Sequence, residues 1–232
     1  MCFIQMKTIL LIGASSAVAK EVAKLLKIQG HKIISISRSE PDAPFDFFHK
    51  YDISSDDPMP IVDTLIDGLV YFPGTINLKP FQSLKSTSFL EDFQINVLGA
   101  IKSIQSYSKN LALSDSASII LYSTVAVQTG MPFHASVAAS KGAIEGLTRS
   151  LAAEFAPKIR VNCIAPSLTN TPMASRLLSS PEKIEASALR HPLKKVGDPK
   201  DLANMTTFLL SDASKWMTGQ ILHLDGGMSS IK

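Results

Sequence analysis

Between residues 7 and 36 the chain sets one apolar run, one amphipathic stretch and a second apolar run in series, with single glycines between them. Residues 7–12 are leucine-rich and β-branched and stop at Gly13. Residues 17–28 carry Val18, Val22, Ala23, Leu25 and Leu26 at helical spacing, and Gly30 closes that stretch before a second strand pattern over 32–36. Short apolar runs and a period-3.6 pattern alternating in this way predict a β-α-β unit, because two neighbouring parallel strands need a crossover and a helix is the usual one. The pattern then repeats. Strand patterns at 69–72, 118–122, 159–164 and 220–224 alternate with helical patterns near 88–111, 135–156 and 199–211.

Strands that are apolar on both faces belong in a parallel sheet covered on each side, with right-handed crossovers. The expected fold is therefore a doubly wound α/β sheet of about seven strands, a Rossmann fold, in a single domain over residues 1–232. The Pro- and Asp-rich stretch 40–60 reads as loops around one short strand. Residues 173–198, bracketed by proline and rich in Ser, Leu and Lys, read as a mobile segment able to cover a pocket.

Composition narrows the function. With 45% hydrophobic residues the chain can bury a sizeable core, and 23 basic against 20 acidic side chains leave a net charge of only +3 without a dense basic block. That speaks against a nucleic-acid or membrane-surface partner. Cys2 and Cys163 have neither metal-ligand nor redox-pair spacing, so two free thiols in a reducing compartment and no metal are expected. Residues 1–7 lack the pattern of a secretory signal, and no apolar run approaches the roughly 20 residues of a bilayer span. A cytoplasmic protein is expected.

The junction Gly13-Ala14-Ser15-Ser16-Ala17-Val18-Ala19 lies where a strand gives way to a helix, so the first amides of that helix and its dipole can face a pyrophosphate. After the second strand pattern comes Ser37-Arg38-Ser39. A planar guanidinium there can pair with the 2′-phosphate of a nucleotide, and the flanking serines can add hydrogen bonds. Asp52, in Tyr51-Asp52-Ile53, can serve either as a nucleotide contact or as a turn residue.

The run Pro132-Phe133-His134-Ala135-Ser136-Val137-Ala138-Ala139-Ser140-Lys141-Gly142-Ala143 resembles the active-site segment of the short-chain dehydrogenase/reductase family, and the likeness extends over nearly the whole chain. The family carries Tyr-x-x-x-Lys there. Four-residue spacing on a helix brings the phenol and the ammonium to one face. In this sequence Lys141 is kept and Val137 stands at the tyrosine position. Counting back thirteen residues, where the family has serine, gives Thr124, whose hydroxyl has the same donor and acceptor capacity. Asn96 matches the family's mid-helix asparagine, which supports a water linked to the lysine. Gly13 matches the first glycine of the phosphate loop, while Ala17 and Ala19 replace the other two. Tyr71-Phe72-Pro73-Gly74 stands where Asn-Asn-Ala-Gly is usual, a change that implies relaxed demands on the site, and only Gly74 is retained. Residues 166–173 resemble the loop that holds the nicotinamide, with Ser167 for a customary glycine, and 218–227 resemble the family's last strand and turn.

The resemblance implies a nicotinamide dinucleotide site built from Gly13, Ser15, Ser16, Val18, Ser37, Arg38, Asp52, Ile53, Gly74, Lys141, Pro166, Thr169 and Thr171, with Arg38 favouring NADP(H) over NAD(H). It implies a homodimer or homotetramer and a small carbonyl or alcohol substrate. Valine neither ionises nor hydrogen-bonds, so proton transfer must be rerouted or lost. His134, three residues before Val137, is the nearby imidazole able to replace it. Three readings stay open: an NADP(H)-dependent oxidoreductase with Asn96, Thr124, Lys141 and His134 as its catalytic set; a catalytically silent dinucleotide-binding sensor, scaffold or subunit; or an ordinary reductase in which Val137 is an engineered or sporadic replacement. Cys163, within a strand pattern, and Trp216, near the last turn, read as packing residues.

Overall fold

The computed structural model describes residues 5–231; Cys2 lies outside them. Seven strands, β1 (Thr8–Ile12), β2 (Lys32–Ser37), β3 (Phe47–Lys50), β4 (Gly68–Tyr71), β5 (Ala117–Tyr122), β6 (Ile159–Pro166) and β7 (Ile221–Leu224), form one sheet in the order β3-β2-β1-β4-β5-β6-β7. Every pairing is parallel. Chain order reverses between β1 and β4, which opens a crevice at their C-terminal ends, and ligands of such sheets bind there.

Among the described residues seven helices flank the sheet: α1 (Ala17–Ile28), α2 (Ser86–Phe93), α3 (Gly99–Ala112), α4 (Ala126–Thr129), α5 (Ala135–Phe155), α6 (Pro181–Leu189) and α7 (Pro199–Leu210). The period of two along each strand sorts the core into two layers. Leu10 and Ile12 face α3 and α5, whose Ile104, Leu111 and Ile144 pack on them; Ile9 and Leu11 face α1 and α7, meeting Val22, Leu26, Leu202 and Leu209. Each of these side chains, taken fully from water, contributes about 1.5–3 kcal/mol. That double burial is why the strands read as continuous apolar runs.

Two readings change in the structure, and a third gains detail. The helical pattern near 88–111 is two helices joined by a wide π turn over Gln94–Leu98, since one extra residue there lets Asn96 and Val97 both turn inward. Within the 173–198 segment nine residues form α6: Ser180 caps the helix through its side chain, and Pro181 sits in the first turn where no amide is needed. Trp216 is not a packing residue but 98% exposed. Its neighbour Met217 takes the inward position against the α1/α7 layer, which leaves the indole outside.

Candidate active site

A cleft of about 710 Å³ opens over the C-terminal ends of β1, β2, β4, β5 and β6. Its floor at β1 is the turn into α1. Gly13 adopts φ +77°, donates its amide to Ile36 O at 2.8 Å, and lies so close to Pro73 that a Cβ would meet Pro73 Cδ at 2.8 Å. Glycine is required by both the conformation and the contact. Ser16 caps α1, its Oγ accepting from Ala19 N at 3.1 Å, so its own hydroxyl proton remains for a ligand. Ser15, Ser16 and Val18 line the cleft, and α1 has no acidic residue in its first turn to oppose an anion. Ala19, where the family has glycine, is fully buried against the sheet.

At the end of β2, Ser37 donates to Ser39 O at 2.7 Å and the exposed Arg38 borders the cleft. Across from it Asp52 accepts from the backbone and hydroxyl of Ser54, at 3.0 and 2.7 Å. Those two bonds, and then the Arg38 guanidinium, hold its carboxyl below the usual range. Both bonds fall on one oxygen, which leaves the other for a ligand. Ile53 lines the same end, and Lys102 of α3 fastens it by donating to Tyr51 Oη, Ser55 O and Asp57 O.

The inner end is made by α5 and the ends of β4, β5 and β6. Lys141 is buried on the cleft wall and donates to Tyr122 O at 2.9 Å; burial lowers its ammonium from 10.5 to about 8. Gly74 leaves open a space bounded by Lys141 Nζ and Asn96 Oδ1, 3.3 and 3.2 Å from where a side chain would begin. Asn96 itself sits behind the wall, bonded to Thr75 N at 3.1 Å and Ser140 Oγ at 2.9 Å. Thr75 also donates to Asp92, as do Asn77 and Ser136, so this fully buried carboxylate anchors the network beneath the lysine. Val137, 3% exposed, faces the cleft one turn before Lys141.

No phenol takes the place of a proton donor there. Tyr122 Oη bonds Thr206 Oγ1 in the core, and Tyr71 donates to Ile95 O at 2.5 Å. That second bond ties β4 to the π turn, so the strand bracing expected to be relaxed is supplied by Tyr71 instead. Thr124 lines the cleft with its Oγ1 accepting from Ala126 N at 3.3 Å, and Ser123 turns away to Glu145. His134, half-buried, lines the cleft just before α5 with Nδ1 on Pro132 O at 2.7 Å. Pro166, Thr169 and Thr171 form the rim beyond β6; Thr169 donates to Ser167 O, and its segment pairs with Gly197. Cys163 is buried within β6, and desolvation pushes its thiol up to about 12, so it is not a nucleophile.

One polar pair on this rim was not anticipated from the sequence as a unit. Ser167 Oγ lies 2.8 Å from His191 Nε2. The two residues are 24 apart, and only the return of the segment after α6 to the end of β6 brings them together, so no spacing pattern could reveal them.

Residues 62–229 match the family model described as enoyl-(acyl carrier protein) reductase. The chain belongs to the short-chain dehydrogenase/reductase family. Among relatives, it is 27% identical to L-xylulose reductase of Bos taurus in an alignment spanning 94% of each chain. It is 34% identical to the 3-oxoacyl-(acyl-carrier-protein) reductase FabG of Thermotoga maritima over 70% of this chain and 66% of that protein. Its fold is similar to the aldohexose dehydrogenase of Thermoplasma acidophilum, with a TM-score of 0.87 and 25% identity over 97% of this chain and 94% of that one.

Membership in the short-chain dehydrogenase/reductase family implies a nicotinamide dinucleotide, and the residues present fit one. The α1 N-terminus, with Ser15 and Ser16 on the cleft and no acidic residue in its first turn, suits a pyrophosphate, and a buried ammonium stands at the inner end. No group of three or more metal-ligating side chains occurs among the described residues, nor any helix long and apolar enough to cross a membrane.

Proposed function

We propose that this chain is an NADP(H)-dependent oxidoreductase of small carbonyl or secondary alcohol compounds, acting without the family's phenolic acid. The observation that carries the reading is Lys141, a desolvated ammonium on the cleft wall whose one protein acceptor is Tyr122 O. A buried ammonium keeps three donors to satisfy, and a ribose in the cleft would accept the rest. Arg38 supports the choice of NADP(H), since it stands exposed at the β2 end where a guanidinium can grip a 2′-phosphate. Ser15, Ser16 and the α1 amides would hold the pyrophosphate, Asp52 and Ile53 the base, and Pro166, Thr169 and Thr171 the nicotinamide end.

A bound nicotinamide supplies the reducing equivalent. Thr124 would orient the substrate oxygen by a hydrogen bond, while Asn96 positions the lysine through the network that ends at Asp92. Removing a positioned general acid/base slows such reactions by about 10²- to 10⁴-fold. Val137 therefore makes a slow enzyme of this chain unless another group moves the proton. His134 Nδ1 donates to Pro132 O, which leaves Nε2 as an acceptor in the neutral ring, so His134 would be a second group able to exchange a proton at the rim.

The deciding experiment is Val137→Tyr, with calorimetric NADPH binding and NADPH oxidation measured against a ketone panel that includes β-keto thioesters. A gain of about 10²-fold or more, with NADPH affinity unchanged, is the expected result. Tight NADPH binding with no gain would favour the silent binder. Loss of NADPH binding in both chains would refute the dinucleotide reading. We further propose a cytoplasmic homodimer or homotetramer; exposed Leu90, Phe93 and Leu98 on α2 and the π turn support self-association, and light scattering would test it.

A further inference from the structure

We propose that Ser167 and His191 form a proton relay that takes the place of the absent phenol; this rests on the oxidoreductase reading above. Ser167 follows the last residue of β6, beside Thr124, because Val125 N donates to Pro166 O at 3.1 Å. Both Ser167 and His191 line the cleft that holds Val137, Thr124 and Lys141.

The direction of the Ser167–His191 bond follows from the far side of the ring. His191 Nδ1 lies 2.9 Å from Ser187 O, and a carbonyl only accepts, so Nδ1 carries the proton. In the neutral imidazole Nε2 is then bare. Ser167 donates its hydroxyl proton to it at 2.8 Å. A nucleophilic or proton-passing oxygen, a base in hydrogen-bond reach and a third group fixing the base is the arrangement that activates a hydroxyl.

The ring has little freedom to lose this geometry. His191 is 2% exposed, and its Cβ and Cδ2 stand 3.4 and 3.5 Å from where a side chain on Gly226 would begin. Leu193 N donates to Gly226 O at 3.1 Å, which ties the segment after α6 to the turn beyond β7. His134, by contrast, is held by one bond to its own loop and sits at the rim. Of the two imidazoles bordering the cleft, His191 is the one already joined to a hydroxyl.

In alcohol oxidation the substrate O–H proton passes to Ser167 Oγ as the Ser167 proton passes to His191 Nε2. With a nicotinamide dinucleotide bound, that group would take the electron pair of the carbinol C–H bond as hydride while the C=O bond forms. His191 becomes an imidazolium, still donating through Nδ1 to Ser187 O, and returns the extra proton to water in the cleft. Ketone reduction runs the same transfers backwards. Ser167 is thus the catalytic residue and His191 the base acting through it.

The test compares the unmutated chain with Ser167→Ala, Ser167→Thr and His134→Ala, measuring NADPH affinity by calorimetry and ketone turnover. A companion measurement, ¹⁵N NMR of the histidine rings in ligand-free protein, needs no turnover. Expected are a kcat loss of about 10²- to 10⁴-fold in Ser167→Ala with NADPH Kd unchanged, and recovery to within about tenfold in Ser167→Thr, which keeps the hydroxyl. The His191 ring should show a protonated Nδ1 and a bare Nε2 whose resonance moves in Ser167→Ala. Unchanged kcat in Ser167→Ala, turnover lost only in His134→Ala, or a protonated Nε2 in the neutral ring would each overturn the relay. An unmutated chain that binds NADPH yet reduces no ketone would also overturn it, leaving the silent binder; one that fails to bind NADPH brings down the dinucleotide reading itself.

Discussion

Replacing Lys141 by methionine should change how the stability of the ligand-free protein depends on pH. Methionine is close to lysine in length, so the wall of the cleft stays filled while the charge goes. Burial lowers the folded lysine from 10.5 to about 8, and the unfolded lysine titrates near 10.5. Below pH 8 both states hold the proton, and the folded state carries a desolvated charge. Between pH 8 and 10.5 the unfolded state holds more protons than the folded one, so this group adds stability as pH rises. At about 1.4 kcal/mol per pH unit, the interval from about 8 to 10.5 is worth about 3 kcal/mol. Cys163 acts the opposite way, because its thiol is pushed up to about 12 and stays neutral where an unfolded thiol ionises. Because the thiol and Lys141 also act on each other coulombically, both chains are compared in a Cys163→Ala background, which removes that contribution. Urea denaturation of the two proteins from pH 7 to 10.5 would measure the lysine's effect: the stability of the chain that keeps Lys141 minus that of Lys141→Met should climb by about 3 kcal/mol across the window. The lost bond to Tyr122 O shifts the whole difference by a constant and leaves its slope intact. A flat difference would refute the claim that Lys141 is desolvated, and with it the argument that a ribose is needed to satisfy the ammonium.

Gly13→Ala combines a φ of +77° with a 2.8 Å collision on Pro73. Thermal melting should show about 1–2 kcal/mol lost and calorimetry at least tenfold weaker NADPH binding. Arg38→Ala should weaken NADPH by about tenfold or more and leave NADH within about twofold, which parallel titrations would read. Asp92→Ala strips the acceptor from Thr75, Asn77 and Ser136, so a loss of about 2–3 kcal/mol is expected in urea denaturation. NADPH affinity should fall alongside it, because Asn96 is held through Thr75.

The fold was legible because both faces of the sheet are buried. Ile9, Leu10, Leu11 and Ile12 alternate between two apolar layers, so burial on each side appears in the sequence as an unbroken run. The cleft residues were legible for a related reason: Gly13, Arg38, Asp52 and Thr169 follow strand ends, and a parallel sheet gathers all its strand ends on one edge. Residues lacking any local signature were not legible. Asp92 reads as one more polar helix position, yet it is fully buried because three donors converge on it from two other segments. His191 likewise stands in a stretch without periodicity, and only the return of the segment after α6 to the end of β6 gives it a partner. Trp216 shows the converse, since an apolar side chain implies a core only where the backbone points it inward.

The wide turn at Gln94–Leu98 makes the rod from Ser86 to Ala112 a fixed-length part. Each helical residue advances the winding by about 100°. Ahead of the turn Asp92 is aimed at the polar network, and after it Ile104, Tyr107 and Leu111 are aimed at the sheet. Deleting one residue between them would restore ordinary winding and rotate one half against the other by about that angle, taking either the carboxylate or the apolar stripe off its target. This stretch can therefore drift in composition while its residue count cannot, and in a set of related chains an alignment gap here would mark a member whose cleft is built differently.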